Sequence, residues 1–245
     1  VSILGIPIDS LTEDEAVARI QDLVESGGSH QVVTVNPEFV MAARKTPRFR
    51  RTLSEASLSL ADGVGILMAS RWLGQPVSQR VAGVDMVWRI ADLAARRGYG
   101  IYCLGAAPGV AREAAGRLTE RYPDLRITGC HSGSPDEAEE SEIADRIRVA
   151  GPHILLVAYG APEQDLWISR NMGSLGVPLA MGVGGAFDFI SGRASRAPLW
   201  MRNLGLEWLH RLVREPWRWR RMLALPRFAA LVFWARWRSD GRASV

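Results

Sequence analysis

Apolar and polar positions alternate in two rhythms along the chain, and the rhythm changes near residue 99. Before that point the elements are short and mixed. Ser2–Ile8 reads as a short strand. Thr12-Glu13-Asp14-Glu15 is a capping box that opens a helix through Val24, ended by Gly27-Gly28. The β-branched run Gln31–Val35 predicts a strand. Asn36-Pro37 breaks it and starts a helix through Ala43. Phe49–Ala56 reads as a helix and Ser57–Ala61 as an alternating strand. After Asp62-Gly63 come helices over Val64–Leu73 and Gly83–Arg97, the second with one apolar face.

From Tyr99 onward the pattern is regular. Strands over Tyr99–Leu104, Arg126–Cys130, His153–Tyr159 and Val177–Val183 alternate with helices to Arg121, over Pro135–Val149 and through Met172. This is the signature of βαβ units in a parallel sheet, with right-handed crossovers placing helices on both faces. The expected fold class is therefore α/β: a Rossmann-like parallel sheet flanked by helices, with a C-terminal helical amphipathic appendage. The Pro/Gly/Ser cluster at 191–198 reads as the hinge. We divide the chain into a body, 1–192, and an appendage, 193–245. The body has lobes of about 1–97 and 98–192 with a cleft between them.

Charge sharpens the division. Residues 193–242 hold twelve arginines against Glu207, Glu215 and Asp240, and six of the nine tryptophans. That segment carries +9, so the rest carries −5 of the overall +4. Trp200, Leu204, Trp208 and Leu212 recur every fourth residue as one apolar stripe. A helix is expected over Pro216–Leu225, with Pro226 interrupting it. Arginine interleaved with tryptophan suits anionic headgroups at an interface, so a peripheral membrane face is expected. Phe228–Trp234 is apolar but too short to span a bilayer. VSILGIPIDS has neither a basic n-region nor a long apolar run, so no signal peptide is expected. Cys103 and Cys130 make neither a disulfide framework nor a zinc site, and a reducing cytoplasm fits them.

Ligands of open α/β sheets bind outside the carboxyl ends of the strands. Those ends carry Thr34, Asn36, Asp62, Gly105, Gly160 and Gly184-Gly185. Asp62 is either a helix N-cap or a catalytic base, and the local pattern alone favours the cap. Asn36 has the same ambiguity. Gly105 and Gly109 bracket a turn whose bare N–H groups suit a diphosphate, but the spacing is not G-x-G-x-x-G. Asp188, between two phenylalanines, either binds a nucleoside or caps a turn. Gln164 and Asp165 open a helix and need no function there. No metal-spaced His/Cys cluster, H-E-x-x-H or Walker A motif is present.

Taken together, TVNPEFVMAAR (34–44), LADGVGI (60–66), RVAGVDM (80–86), LGAAPGVA (104–111), VAYGAPEQDLWI (157–168) and the long segment 182–219 resemble the WecG/TagA/CpsF glycosyltransferases. These bacterial enzymes extend polyprenyl-diphosphate-linked sugars at the cytoplasmic membrane face. The resemblance implies an inverting, metal-independent transfer of a hexosamine, N-acetylmannosamine or its uronic acid, from a UDP-sugar. It implies a polyprenyl-diphosphate-linked acceptor, no cofactor, no nucleic-acid partner and a peripheral place on the inner face of the cell membrane. A homo-oligomer is left open.

The family's catalytic-base aspartate falls on Asp62, its active-site threonine and asparagine on Thr34 and Asn36, and its pocket arginine and glutamine on Arg80 and Gln164. The acid near the uracil falls on Asp188, and the C-terminal arginines on Arg211, Arg218 and Arg221. Gly105, Gly184 and Gly185 are the candidate nucleotide-binding glycines. Two other classes compete. A nucleotide-dependent oxidoreductase explains the βαβ run but lacks the dinucleotide fingerprint. A nucleic-acid-binding protein explains the Arg/Trp tail but not its apolar stripe or the acidic remainder.

Overall fold

The structure is a computed structural model and describes residues 1–203, 205–216 and 219–242. The first part of the chain forms β1 (Ser2–Ile3), β2 (Ile6–Pro7), α1 (Glu13–Glu25), β3 (His30–Val35), α2 (Pro37–Lys45), α3 (Pro47–Glu55), β4 (Leu58–Ala61), α4 (Val64–Trp72) and α5 (Gly83–Arg97). Then follow β5 (Gly100–Gly105), α6 (Val110–Arg121), β6 (Arg126–His131), α7 (Glu140–Ala150), β7 (Ile154–Ala158), α8 (Glu163–Leu175), β8 (Leu179–Gly182) and α9 (Ala186–Ser191). The tail forms α10 (Leu199–Asn203), α11 (Glu207–Arg214), α12 (Trp219–Met222) and α13 (Ala224–Arg242).

Six strands make one parallel sheet in the order β4-β3-β8-β7-β5-β6. β3 and β4 come from residues 1–97 and the other four from 98–192, and the two sets join where β3 pairs with β8. Apart from the edge strand β6, the strands are largely buried because both faces of the sheet are covered. Val32, Leu58, Leu60, Ile101, Leu156 and Met181 face a layer made by α1, α5, α6 and α9. Val33, Val35 and Ala61 face α2, α3 and α4, while Leu104, Leu155 and Val157 face α7 and α8. In the tail, Phe228 and Val232 of α13 are buried in the cluster with α2 and α4. α13 is therefore seated on the body.

Local chemistry explains several ends. Thr12 accepts from the Glu15 N–H while Glu15 accepts from the Thr12 N–H at 2.7 Å, a reciprocal cap on α1. Asn36 caps α2 by accepting from the Phe39 N–H at 3.0 Å.

Four expectations are corrected. Ser2–Ile8 is a hairpin, not one strand: Leu4 and Gly5 have φ of 51° and 83° and pair Ile3 with Ile6. A two-residue hairpin turn of this kind has positive φ at both positions, and Leu4 gives no sign of it in the sequence. The helix expected from Pro135 begins later, because Asp136 first caps a 3-10 turn over Glu137–Glu139. The stripe from Trp200 to Leu212 is not one helix, because Gly205, at φ 72°, separates α10 from α11. A side chain at Gly205 would also strike Val64. Pro226 interrupts nothing. It sits in the first turn of α13, where the missing N–H has no intrahelical partner to lose.

Candidate active site

The carboxyl ends of β4, β3, β8 and β7 open into a cavity of about 1160 Å³. Thr34, Asn36, Asp62, Arg80, Gln164, Gly184, Gly185, Asp188, Arg211 and Arg221 all line it, although they span 187 positions (34 to 221). Arg218 lies outside the described residues. Gly105 is not in the lining. Its φ of 97° and the Ala158 backbone, 2.8 Å from where a Cβ would stand, account for the glycine structurally.

Asp62 follows β4 directly. Its N–H donates to the Val35 carbonyl at 2.8 Å, and the preceding Ala61 carbonyl accepts from the Val81 N–H at 2.8 Å. Those two bonds hold the end of β4 between β3 and the loop carrying Arg80. The N-cap of α4 is Gly63, with φ of 91° and no side-chain cap. Asp62 therefore does not cap the helix, against the local pattern, and its carboxyl belongs to the cavity. Loss of hydration pushes its pKa up to about 6. Arg80 and the Gly83 N–H pull it down, while the negative charges of Glu207 and Asp85 push it up.

Gln164 is buried at the start of α8, and its Oε1 accepts from the Gly184 N–H at 2.9 Å. That bond ties the turn after β8 to the end of β7. Beneath it lies Asp165, fully buried, with neither carboxylate oxygen hydrogen-bonded among the described residues. Burial raises its pKa to about 7. A Cβ at Gly182 would stand 2.6 Å from both Asp165 Oδ1 and Gln164 Nε2, so this packing requires glycine there.

The tail closes the site. The Arg211 guanidinium lies 5.3 Å from the Phe189 ring centroid and 3.6 Å from Glu215. Its Nη2 is 2.8 Å from where a Cβ of Gly185 would be. Gly185 thus admits an arginine from the appendage, a role hidden in the sequence because the two are 26 positions apart (185 to 211). Arg221 pairs with Glu38 at 2.8 Å. Glu207 of α11 faces Arg80 and Arg196, each at 3.5 Å, and Arg196 also forks onto Asp85 at 2.5 and 3.1 Å. Sequence reasoning missed Asp85, Arg196 and Glu207. Arg196 lay in a segment that reads as a hinge, and Glu207 as a lone acid in a basic tail.

The family model for the glycosyl transferase WecG/TagA/CpsF family matches residues 1–242. The chain belongs to that family. It is similar to curated proteins named N-acetylglucosaminyldiphosphoundecaprenol N-acetyl-beta-D-mannosaminyltransferase. One, from Bacillus spizizenii, is 35% identical over 201 residues, covering 82% of this chain and 77% of its own. Another, from Bacillus subtilis, is 34% identical over 201 residues, covering 82% and 78%. A third, from Staphylococcus aureus, is 30% identical over 230 residues, covering 93% and 90%.

The protein is thus a glycosyltransferase, and the oxidoreductase reading falls. In this WecG/TagA/CpsF enzyme the cavity offers one carboxylate near neutrality, a buried polar floor and arginines from both body and tail. Among the described residues, no three His, Cys, Asp or Glu side chains cluster as metal ligands. Among the same residues, no helix is long and apolar enough to cross a membrane.

Proposed function

We propose that this enzyme moves N-acetylmannosamine, or its uronic acid, from a UDP-sugar to a polyprenyl-diphosphate-linked N-acetylglucosamine, with inversion and without a metal. The observation that carries the reading is Asp62, at a strand end inside the large cavity, with its pKa raised to about 6. Such a carboxylate is ionised at neutral pH and basic enough to take a proton. The acceptor hydroxyl gives its proton to Asp62. Its oxygen bonds to the anomeric carbon as the bond from that carbon to the UDP oxygen breaks. A single displacement of this kind inverts the anomeric centre.

The departing UDP gains negative charge, and preorganised cations stabilise it. Arg80 and Arg211 are the cavity arginines we assign to this, with Arg221 at the tail side. Asp188 and the Gly184-Gly185 turn are assigned to the nucleoside. The names of the relatives, transferases acting on N-acetylglucosaminyldiphosphoundecaprenol, support this acceptor.

Peripheral attachment to the cytoplasmic membrane face rests on the tail surface. Trp200, Trp219, Trp234 and Trp237 are exposed, and Arg238 lies 3.4 Å from the Trp234 ring centroid. Exposed tryptophan with arginine is the composition of a headgroup-contacting face.

The test is UDP release from a panel of UDP-sugars, in EDTA, with a polyprenyl-diphosphate-linked N-acetylglucosamine acceptor. Acceptor-dependent release that collapses in Asp62→Asn supports the reading and identifies the donor. Release that needs an added divalent ion removes the metal-independent mechanism. Equal release by both proteins removes Asp62 as the base.

A further inference from the structure

The cavity is larger than one substrate needs. At about 1160 Å³ it exceeds the ~300–1,000 Å³ common for a single small-molecule ligand. Its lining is mixed, with charged residues and a set of apolar ones. Two helices that pack against each other wall one part of it. α4 starts two residues after Asp62 and lines the cavity with Met68 and Trp72. α13 starts three residues after Arg221 and lines it with Leu225, Ala229 and Phe233. Positions 225, 229 and 233 share one helical face and run about 12 Å at 1.5 Å per residue.

This apolar arm is open yet held in place. Phe228 and Val232, on the neighbouring face of α13, are buried against the body. Met68 and Phe233 nevertheless remain 66% and 60% exposed. Trp72 and Phe233, with ring centroids 5.9 Å apart, bridge α4 to α13. An exposed apolar surface beside a polar site marks a place that something apolar covers.

We propose that the arm between α4 and α13 seats the isoprenoid units nearest the diphosphate of the lipid-linked acceptor. This rests on the acceptor assigned above. The cavity's lining holds a partner for each part of such a molecule. Asp62 would meet the sugar hydroxyl, Arg214 the diphosphate, and Met68, Trp72, Leu225 and Phe233 the hydrocarbon, and all of them line this one cavity. The arm is continuous with the chamber that holds the base, so its occupant is joined to the reacting sugar. A bilayer surface as such is not. An arm of this length takes the first isoprenes and leaves the rest of the chain in the membrane.

The experiment compares acceptors with one N-acetylglucosamine-diphosphate head and two tails, a three-isoprene chain and a short alkyl group, without vesicles or detergent. The full chain is assayed as wild type, Ala229→Trp, which fills the arm from an exposed position, and Met68→Asp, which puts a charge on its wall. Melting midpoints check folding. The wild type should favour the isoprenoid tail in kcat/KM by about tenfold or more, given the area such a tail buries. Both variants should bring that ratio close to one.

A wild-type ratio near one overturns the inference while leaving the acceptor reading intact. So does a ratio unchanged in both variants, including the case where they lose flotation with anionic vesicles, which would make the arm a bilayer contact. No transfer to either tail removes the acceptor reading, and this inference with it.

Discussion

Arg80 donates from Nη1 to Oε2 of Glu207 at 3.5 Å, joining the loop beside Asp62 to the first long helix of the tail. Glu207 holds Arg196 at the same distance through its other oxygen, and Arg196 is anchored on Asp85 at the start of α5. These four side chains form a half-buried chain of alternating charge. It ties the tail to the body beside Asp62, and it sets two negative charges near that carboxylate.

The first prediction concerns Glu207→Gln. It removes a negative charge that raises the pKa of Asp62 and frees Arg80 to lower it. The acid limb of the kcat/KM–pH profile should move to lower pH, with kcat/KM at its plateau down about tenfold from lost positioning. A purely structural strut would lower the plateau and leave the limb in place.

For Asp62 itself the sign is fixed by the raised value. Activity should rise with pH through about 6, because the base must be ionised. Stability runs the other way. The contribution of the neutral carboxyl is complete below pH 3.8 and is lost as pH rises through about 6. Asp62→Asn should therefore abolish transfer yet stabilise the fold at pH 8 by roughly 1–3 kcal/mol, measured by urea unfolding. Equal or lower stability of the variant at pH 8 would contradict the burial argument.

Asp165 gives a separate titration, away from the reacting atoms. Its pKa of about 7 means that its neutral form supports the fold below pH 3.8 and that this support is lost through pH 7. The stability of Asp165→Asn relative to wild type should climb between pH 4 and 8 and then level off. A difference independent of pH would show that Asp165 is not titrating in the fold.

Gly185→Ala tests the close approach of the tail. A methyl there meets Arg211 Nη2 at 2.8 Å, at the flexible end of a side chain. The fold should survive with its melting midpoint nearly unchanged. Transfer should fall about tenfold or more as Arg211 is displaced from a charge-stabilising position. Unchanged kcat and KM would remove Arg211 from the site.

Elements were legible wherever a local signal was sufficient. The reciprocal cap at Thr12–Glu15, the Asn36-Pro37 helix start and the one-faced helix Gly83–Arg97 all needed only residues within a few positions. The hairpin at Leu4–Gly5 failed that test because a leucine carries no marker for positive φ. Asp62 failed it because an aspartate before Gly63 looks like a cap, and only the backbone shows that the glycine takes that place.

Periodicity, caps and the Arg/Trp clustering by themselves determined an α/β body with a basic, aromatic tail, because those are consequences of neighbours along the chain. The shared motifs named the family for the same reason. Only the tertiary structure decided that β8 inserts beside β3, which brings Gln164, Gly184 and Asp62 around one cavity. It also decided that Glu207 and Arg211 of the tail face Arg80 and Gly185 of the body. Charge pairing, close approach and burial depend on distance in space, and residues far apart in the chain meet only when the sheet order brings them together.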